Sequence, residues 1–182
     1  HGDFDTQRNL GIDRASTDWI LQMDADERIP DALRLEIELL LRSMPQEQGF
    51  QIRRQNWFFG QPVQYGGWND WGLKLFRRTS GRYLGHSVHE TLRVEGRIGR
   101  CAASIEHYPY RSLSQLIDRT NFYSSVEARA MTQQQPLPSR RDVAYHLTIR
   151  PIKIFWKIYV KKRAYREGFI GLLCSLLFSW SH

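Results

Sequence analysis

The run Trp19-Ile20-Leu21-Gln22-Met23 is mostly apolar and ends abruptly in Asp24-Ala25-Asp26-Glu27-Arg28, the pattern of a short buried strand that opens into a carboxylate cluster. Beyond it, Pro30 and Asp31 suit the start of a helix. Leu33, Ile37, Leu40 and Leu41 then recur at the spacing that buries one helical face, which predicts a helix to about Ser43. Residues 49–59 read as a strand, with Phe50 and Ile52 alternating with polar positions before Trp57-Phe58-Phe59. Residues 60–72, rich in Gly, Trp and Asn, read as a loop, and 73–78 return to strand. A further strand or hairpin is predicted over 97–108, and a helix over 112–133 with Ser112 as its cap. The segment Gln133-Gln134-Gln135-Pro136-Leu137-Pro138 then breaks the pattern. Together these elements predict a mixed α/β organisation.

The carboxylates after the first strand carry the most specific chemistry. Two aspartates two positions apart at a strand end can share a hard divalent cation, Mg2+ or Mn2+, whose other ligands are water and phosphate oxygens. A polar loop is the alternative for an isolated Asp-x-Asp. A calcium loop is a poor fit: counted from Asp24, the sixth position is Ile29, where glycine is needed, and the twelfth is Leu35, where a bidentate glutamate is needed.

The surrounding residues sharpen this. Gln7-Arg8-Asn9 followed by Asp18-Trp19-Ile20-Leu21-Gln22-Met23-Asp24-Ala25-Asp26-Glu27-Arg28-Ile29 resembles the metal-binding segment of family 2 glycosyltransferases of the GT-A fold. Leu75-Phe76-Arg77, Val88-His89-Glu90, Ile105-Glu106-His107-Tyr108 and Gly168-Phe169 extend the likeness in order along the chain, toward the subgroup that includes bacterial lipopolysaccharide-core glucosyltransferases. The resemblance implies an inverting transfer from a nucleotide-diphosphate sugar, a UDP-sugar above all, to a glycan or glycolipid acceptor. It also implies a GT-A-like mixed sheet flanked by helices. Only the last part of the nucleoside-binding region is expected in the chain, so the fold is expected to be incomplete at the amino terminus, with a helical carboxyl-terminal extension. Residues 1–135 are read as the catalytic and acceptor half, and 136–182 as the extension. A noncatalytic sugar- or lipid-binding remnant is the alternative function.

Residue roles follow from the resemblance and from what glycosyl transfer requires. Asp24 and Asp26 are the metal-side candidates, with Asp26 ranked first, and His107 is a candidate further ligand from a later strand, a partly buried histidine bonded to backbone being the alternative ranked slightly ahead. Glu27 either joins the site or holds the loop through a salt bridge with a partner such as Arg28, two readings of equal weight. Arg8, Asn9, Asp24 and Arg77 are the donor-binding candidates. Inversion needs a base for the acceptor hydroxyl. Glu90 is the first choice and Asp70 the rival. His89, Trp68 and Trp71 are the acceptor-binding candidates, the two tryptophans because loop aromatics can stack on sugar rings.

Composition narrows the surroundings. A formal charge of +7 favours anionic partners. No nucleic-acid-binding module is recognisable, so nucleic acid is ranked last. Ile152, Phe155, Trp156, Tyr159 and Val160 fall at helical spacing among Lys153, Lys157, Lys161, Lys162 and Arg163, a pattern that suits an anionic membrane surface as well as a core helix pair. The apolar segment 169–180 is short for a span, which needs ~20 residues. Cys101 and Cys174 match no metal or redox spacing, which favours a reducing, cytoplasmic setting, with the inner face of the membrane as the expected periphery.

Overall fold

The computed structural model describes residues 4–84, 92–134 and 139–180. The chain forms two compact units that interleave in sequence, His1–Gln55 with Asp70–His107, and Asn56–Asn69 with Tyr108–His182. The α/β class and the helical carboxyl-terminal region are those expected from the sequence.

In the first unit, α1 (Phe4–Arg14) precedes β1 (Trp19–Leu21), β2 (Glu27–Arg28) and α2 (Asp31–Arg42). Next along the chain come β3 (Gly49–Phe58), whose last residues belong to the second unit, β4 (Gln61–Pro62) of the second unit, then β5 (Trp71–Arg77), β6 (Gly81–Tyr83) and β7 (Leu92–Val94) of the first, and β8 (Ile98–Tyr110), whose end again belongs to the second. The main sheet has the order β1-β5-β3-β8-β2, with β4 joined to β3, while β6 and β7 form a separate ribbon. The β1–β5, β3–β5 and β2–β8 pairings are antiparallel. Alternation along the strands sorts neighbouring residues into two cores. Leu75 joins Leu33, Phe50, Ile52, Cys101 and Ile105, against which Ile37 and Leu40 of α2 pack. Phe76 instead joins Ile12 of α1 and Tyr83 of β6. Phe76 has no accessible surface, and a Cβ at Gly81 would lie 2.3 Å from its ring, so only glycine lets β6 approach this closely.

The second unit is mainly helical. The end of β3 makes a hairpin with β4, Trp57 pairing with Pro62. Then follow α3 (Leu113–Gln134), α4 (Arg140–Leu147), α5 (Ile149–Phe155), a π-helical segment (Trp156–Lys161), a 3-10 turn (Ala164–Glu167) and α6 (Gly168–Trp180). Ser112 caps α3 as expected, its hydroxyl accepting from the Gln115 N–H at 3.2 Å. The core gathers Phe58, Val63, Leu116 and Cys174, with Trp68, Tyr110 and Phe178 against it. Among the described residues no helix is long and apolar enough to cross a membrane. Both cysteines are buried and unbridged, and burial pushes the thiols up, Cys101 to about 11 and Cys174 to about 12, so each is held as an inert protonated thiol at neutral pH.

The segment read as a loop over 60–72 is more ordered than its Gly, Trp and Asn content implies. It holds β4, and β5 begins at Trp71. Asn56 and Asn69 organise it: Asn56 Nδ2 donates to the Trp68 carbonyl at 2.7 Å, Asn69 Oδ1 accepts from the Asn56 N–H at 2.9 Å, and Asn69 Nδ2 donates to the Val63 carbonyl at 2.7 Å. Two amides thus satisfy backbone groups that a longer ladder would otherwise pair.

Candidate functional site

The carboxylate cluster is built around a buried lysine. Antiparallel pairing of β1 with β5 sets Leu21 opposite Leu75, and the Gln22 N–H continues the ladder to the Lys74 carbonyl at 2.8 Å. Residue 74 therefore lies beside the start of the acidic loop, fifty positions away in sequence. Its ammonium is 3.1 Å from Asp24 Oδ2 and 2.8 Å from the Glu27 carboxylate. The Lys74 side chain is 5% exposed and that of Glu27 is fully buried. Glu27 Oε2 also accepts from the Asp24 N–H at 2.9 Å, closing the turn upon itself. Glu27 does hold the loop, with Lys74 as its ion partner.

Two cations pair with Asp24, Lys74 and Arg8, and a third, Arg54, acts on it from beside Glu27. Arg8 of α1 reaches its Oδ1 at 3.4 Å and lies over the Tyr83 ring at 5.2 Å. Arg54 of β3 places Nε 3.7 Å from Glu27 and 3.5 Å from Asp70. Burial acts to raise the Asp24 pKa, but the hydrogen-bonded Lys74 ammonium outweighs it together with Arg8 and Arg54, so the carboxyl is held below its ordinary value and stays ionised. Arg8, Asp24, Arg54, Lys74, Gln22 and Tyr83 line one side of an open cavity of about 330 Å³. The Tyr83 hydroxyl donates to Gln22 Oε1, which ties β6 to the end of β1.

Asp26 takes a different partner. Because Glu27 pairs with His107 in the β2–β8 ladder, the Asp26 carboxylate comes within 3.3 Å of His107 Nε2. Burial is the main influence on His107 and lowers its pKa, with Asp26 opposing and Arg54 reinforcing the shift, so the ring is held neutral at pH 7. A carboxylate oxygen beside a neutral imidazole nitrogen is a donor pair that fits Mn2+, with the remaining positions left for water and phosphate oxygens, whereas Mg2+ prefers oxygen ligands throughout. Asp24 fits less well, since both of its oxygens already face cations. Among the described residues no group of three or more His, Cys, Asp and Glu side chains is gathered as a cation cage.

The other sequence-derived candidates are spread out. Asn9 donates from Nδ2 to the Tyr83 carbonyl at 2.9 Å and accepts the Tyr83 N–H at 3.0 Å, so its amide clamps α1 to β6. Arg77 lies over the Trp19 ring at 4.7 Å and donates to the Pro45 carbonyl at 3.2 Å; it does not line the cavity. Trp68 packs against Phe58 and Phe178 in the core of the second unit. Trp71 is exposed at the start of β5 with Arg100 over its ring. Asp70 is largely exposed beside Arg54. His89 and Glu90 lie outside the described residues.

Lys74, Arg54, Gln22 and Tyr83 were not singled out from the sequence. The available signal was Lys74 itself, a charge inside the strand Leu73-Lys74-Leu75-Phe76, because an ammonium buried in a sheet requires an acidic partner.

Comparison with known proteins returns the same likeness. The chain is 28% identical over 170 residues to a protein of Rhizobium meliloti (strain 1021) named lipopolysaccharide core biosynthesis glycosyltransferase LpsC, a match covering 92% of this chain and 62% of that protein. It is 24% identical over 188 residues to an uncharacterized glycosyltransferase of Rickettsia prowazekii (strain Madrid E), covering 96% and 63%. A further uncharacterized glycosyltransferase, of Rickettsia felis (strain ATCC VR-1525 / URRWXCal2), is 25% identical over 188 residues, covering 96% and 65%. The chain thus spans somewhat less than two thirds of the length of these curated relatives. No family model and no solved structure matches it.

Proposed function

We propose that this chain carries the diphosphate-facing part of an inverting glycosyltransferase that moves a sugar from a nucleotide-diphosphate donor, a UDP-sugar, to a glycan or glycolipid acceptor. The observation that carries this reading is the pairing of Arg8 and Lys74 with Asp24, with Arg54 lining the same open polar cavity. Names of the chain's relatives support the transferase class, and one of them supports an acceptor in the lipopolysaccharide core.

In the proposed reaction an acceptor hydroxyl oxygen attacks the anomeric carbon from the face opposite the diphosphate. Its proton passes to a carboxylate, the new C–O bond forms, and the electrons of the breaking bond leave with the diphosphate. Charge grows on the leaving oxygens, and fixed cations in a partly dry site stabilise it. Arg8, Arg54 and Lys74 are assigned that role, and ionised Asp24 is an acceptor for donor hydroxyls. Asp26 and His107 would hold a divalent cation, which adds positive charge against the diphosphate when bound.

Titration calorimetry with UDP-glucose, with and without MnCl2, tests the donor assignment. Manganese is expected to strengthen binding, and Asp26→Asn to remove roughly 10–100-fold of metal affinity. Binding that ignores both manganese and Asp26 would exclude these residues from the metal site, whereas no binding by the chain or by a longer version would favour the noncatalytic reading.

The base is decided by a second pair of variants. Glu90→Gln keeps size and hydrogen bonding but removes basicity, so donor binding is expected to survive while turnover falls by roughly 10²–10⁴-fold. An active Glu90→Gln beside an inactive Asp70→Asn would transfer the role to Asp70.

A further inference from the structure

The charge of this protein is concentrated in one stretch. Residues 149–180 contain seven basic residues, Arg150, Lys153, Lys157, Lys161, Lys162, Arg163 and Arg166, against the single acid Glu167. The rest of the chain is nearly balanced, at nineteen basic to eighteen acidic residues. Glu167 is itself engaged, its Oε1 accepting the N–H groups of Gln64 at 2.7 Å and Tyr65 at 2.6 Å. Almost all the net charge of +7 therefore belongs to α5, the π-helical segment and the turn before α6.

The same stretch leaves several of its large apolar side chains in solvent. Along α5 and the π-helical segment, Ile149, Ile152, Trp156 and Val160 are exposed, Ile152 by 69% and Trp156 by 57%. Lys153, Lys157 and Lys161 each follow one of these residues and so border the stripe. Along α6, Phe169, Leu172, Leu176 and Trp180 recur at intervals of three and four, with Phe169 76% and Trp180 74% exposed. Phe155 and Tyr159, which the sequence groups with this face, turn from it and stack on each other at 5.0 Å. Their place on the helix is taken up by packing within the unit, and Ile149, Ile152, Trp156 and Val160 form the outward stripe.

Exposed aromatic and aliphatic stripes bordered by lysines, on helices of this length, have the composition of elements that lie in a membrane interface. A polyanion such as nucleic acid would reward the lysines but leave Ile152, Phe169, Leu176 and Trp180 in water. We propose that α5 with the π-helical segment, and α6, are a docking surface for an anionic phospholipid monolayer. The helices rest in its plane, the two stripes enter the acyl boundary, and the basic residues meet the headgroup phosphates. This assignment is independent of the transferase reading.

Flotation with vesicles of phosphatidylcholine containing 30% phosphatidylglycerol, against vesicles of phosphatidylcholine alone, tests it on the whole chain. Binding is expected only with the anionic vesicles, and is expected to weaken in 0.5 M NaCl. Reversal of Lys153, Lys157, Lys161 and Lys162 to Glu is expected to weaken it more than a hundredfold, since each basic group at such a surface is worth about fivefold. The variant Ile152→Ser, Trp156→Ser, Phe169→Ser, Trp180→Ser changes only exposed side chains, so its circular dichroism is expected to be unchanged while vesicle binding falls at least tenfold. Three outcomes would overturn the proposal: no flotation at low salt, equal binding by the serine variant and the wild type, or a dimer in light scattering that the serine changes dissociate while vesicles remain unbound. Binding of duplex RNA that the serine variant retains, without vesicle binding, would assign the surface to nucleic acid instead.

Discussion

Replacing Lys74 by methionine is expected to destabilise the first unit by about 3–5 kcal/mol, because it removes the cation from a buried ion cluster and leaves the acids behind. Methionine has nearly the length of lysine, so the loss is electrostatic more than steric. Glu27 has no accessible side-chain surface and has its principal partner 2.8 Å away in Lys74; Arg54 stands farther off at 3.7 Å. Asp24 retains Arg8 at 3.4 Å, so the unmet charge falls chiefly on Glu27. This identifies a rescue. Glu27→Gln in the methionine background removes the buried anion, and the double variant is expected to be more stable than the sum of the single losses by about 0.5–3 kcal/mol. Urea unfolding of the four proteins at pH 7 supplies the cycle. A loss below about 1 kcal/mol for Lys74→Met, with additive behaviour in the double variant, would mean that Lys74 and Glu27 do not depend on each other. Donor binding is expected to fall with Lys74→Met as well, and its persistence in a folded variant would remove Lys74 from the diphosphate site while leaving its structural role intact.

A second large effect is expected from one methyl group. A Cβ at Gly171 would lie 1.8 Å from the Ala164 carbonyl oxygen and 2.8 Å from its carbon. Both are backbone atoms, and Ala164 is itself fully buried, so neither partner can turn aside as a flexible side chain would. Gly171→Ala therefore has to part α6 from the 3-10 turn. The expected cost is at least about 3 kcal/mol, the upper range of overpacking. Gly11→Ala is the control. It lies in α1 with nothing within 4 Å of the added carbon, and is expected to stabilise by roughly 0.5–1 kcal/mol through helix propensity alone. If thermal unfolding gave both alanine variants similar midpoints, the close approach at Gly171 would be refuted.

The elements of this chain were legible because their causes are local. The apolar spacing of Leu33, Ile37 and Leu40 places α2 at Asp31–Arg42, and the alternation around Phe50 and Ile52 places β3 at Gly49–Phe58. A periodicity needs only neighbours to be expressed, so it survives in the sequence. The loop identity of Asp24 and Asp26 is local in the same sense, and the likeness of the surrounding motifs to glycosyltransferases agrees with the relatives found.

What no local pattern carries is the partner of each charged group. Lys74 meets Asp24 and Glu27 across about fifty residues, Asn9 meets Tyr83 across 74, and Arg77 stacks on Trp19 because β1 and β5 set those two residues opposite each other. Strand order and register make these choices, and a shift of one residue in β5 would carry Lys74 to the other face. The sequence by itself determined β1, α2, β3 and α3 among the elements, since propensity and periodicity act over a few positions, while the short strands β2, β4, β6 and β7 are defined by the partners they pair with. Only the tertiary structure decided that Asp24 faces Lys74 and Arg8 while Asp26 faces His107, because ion pairs a few ångströms long are set by how distant strands align.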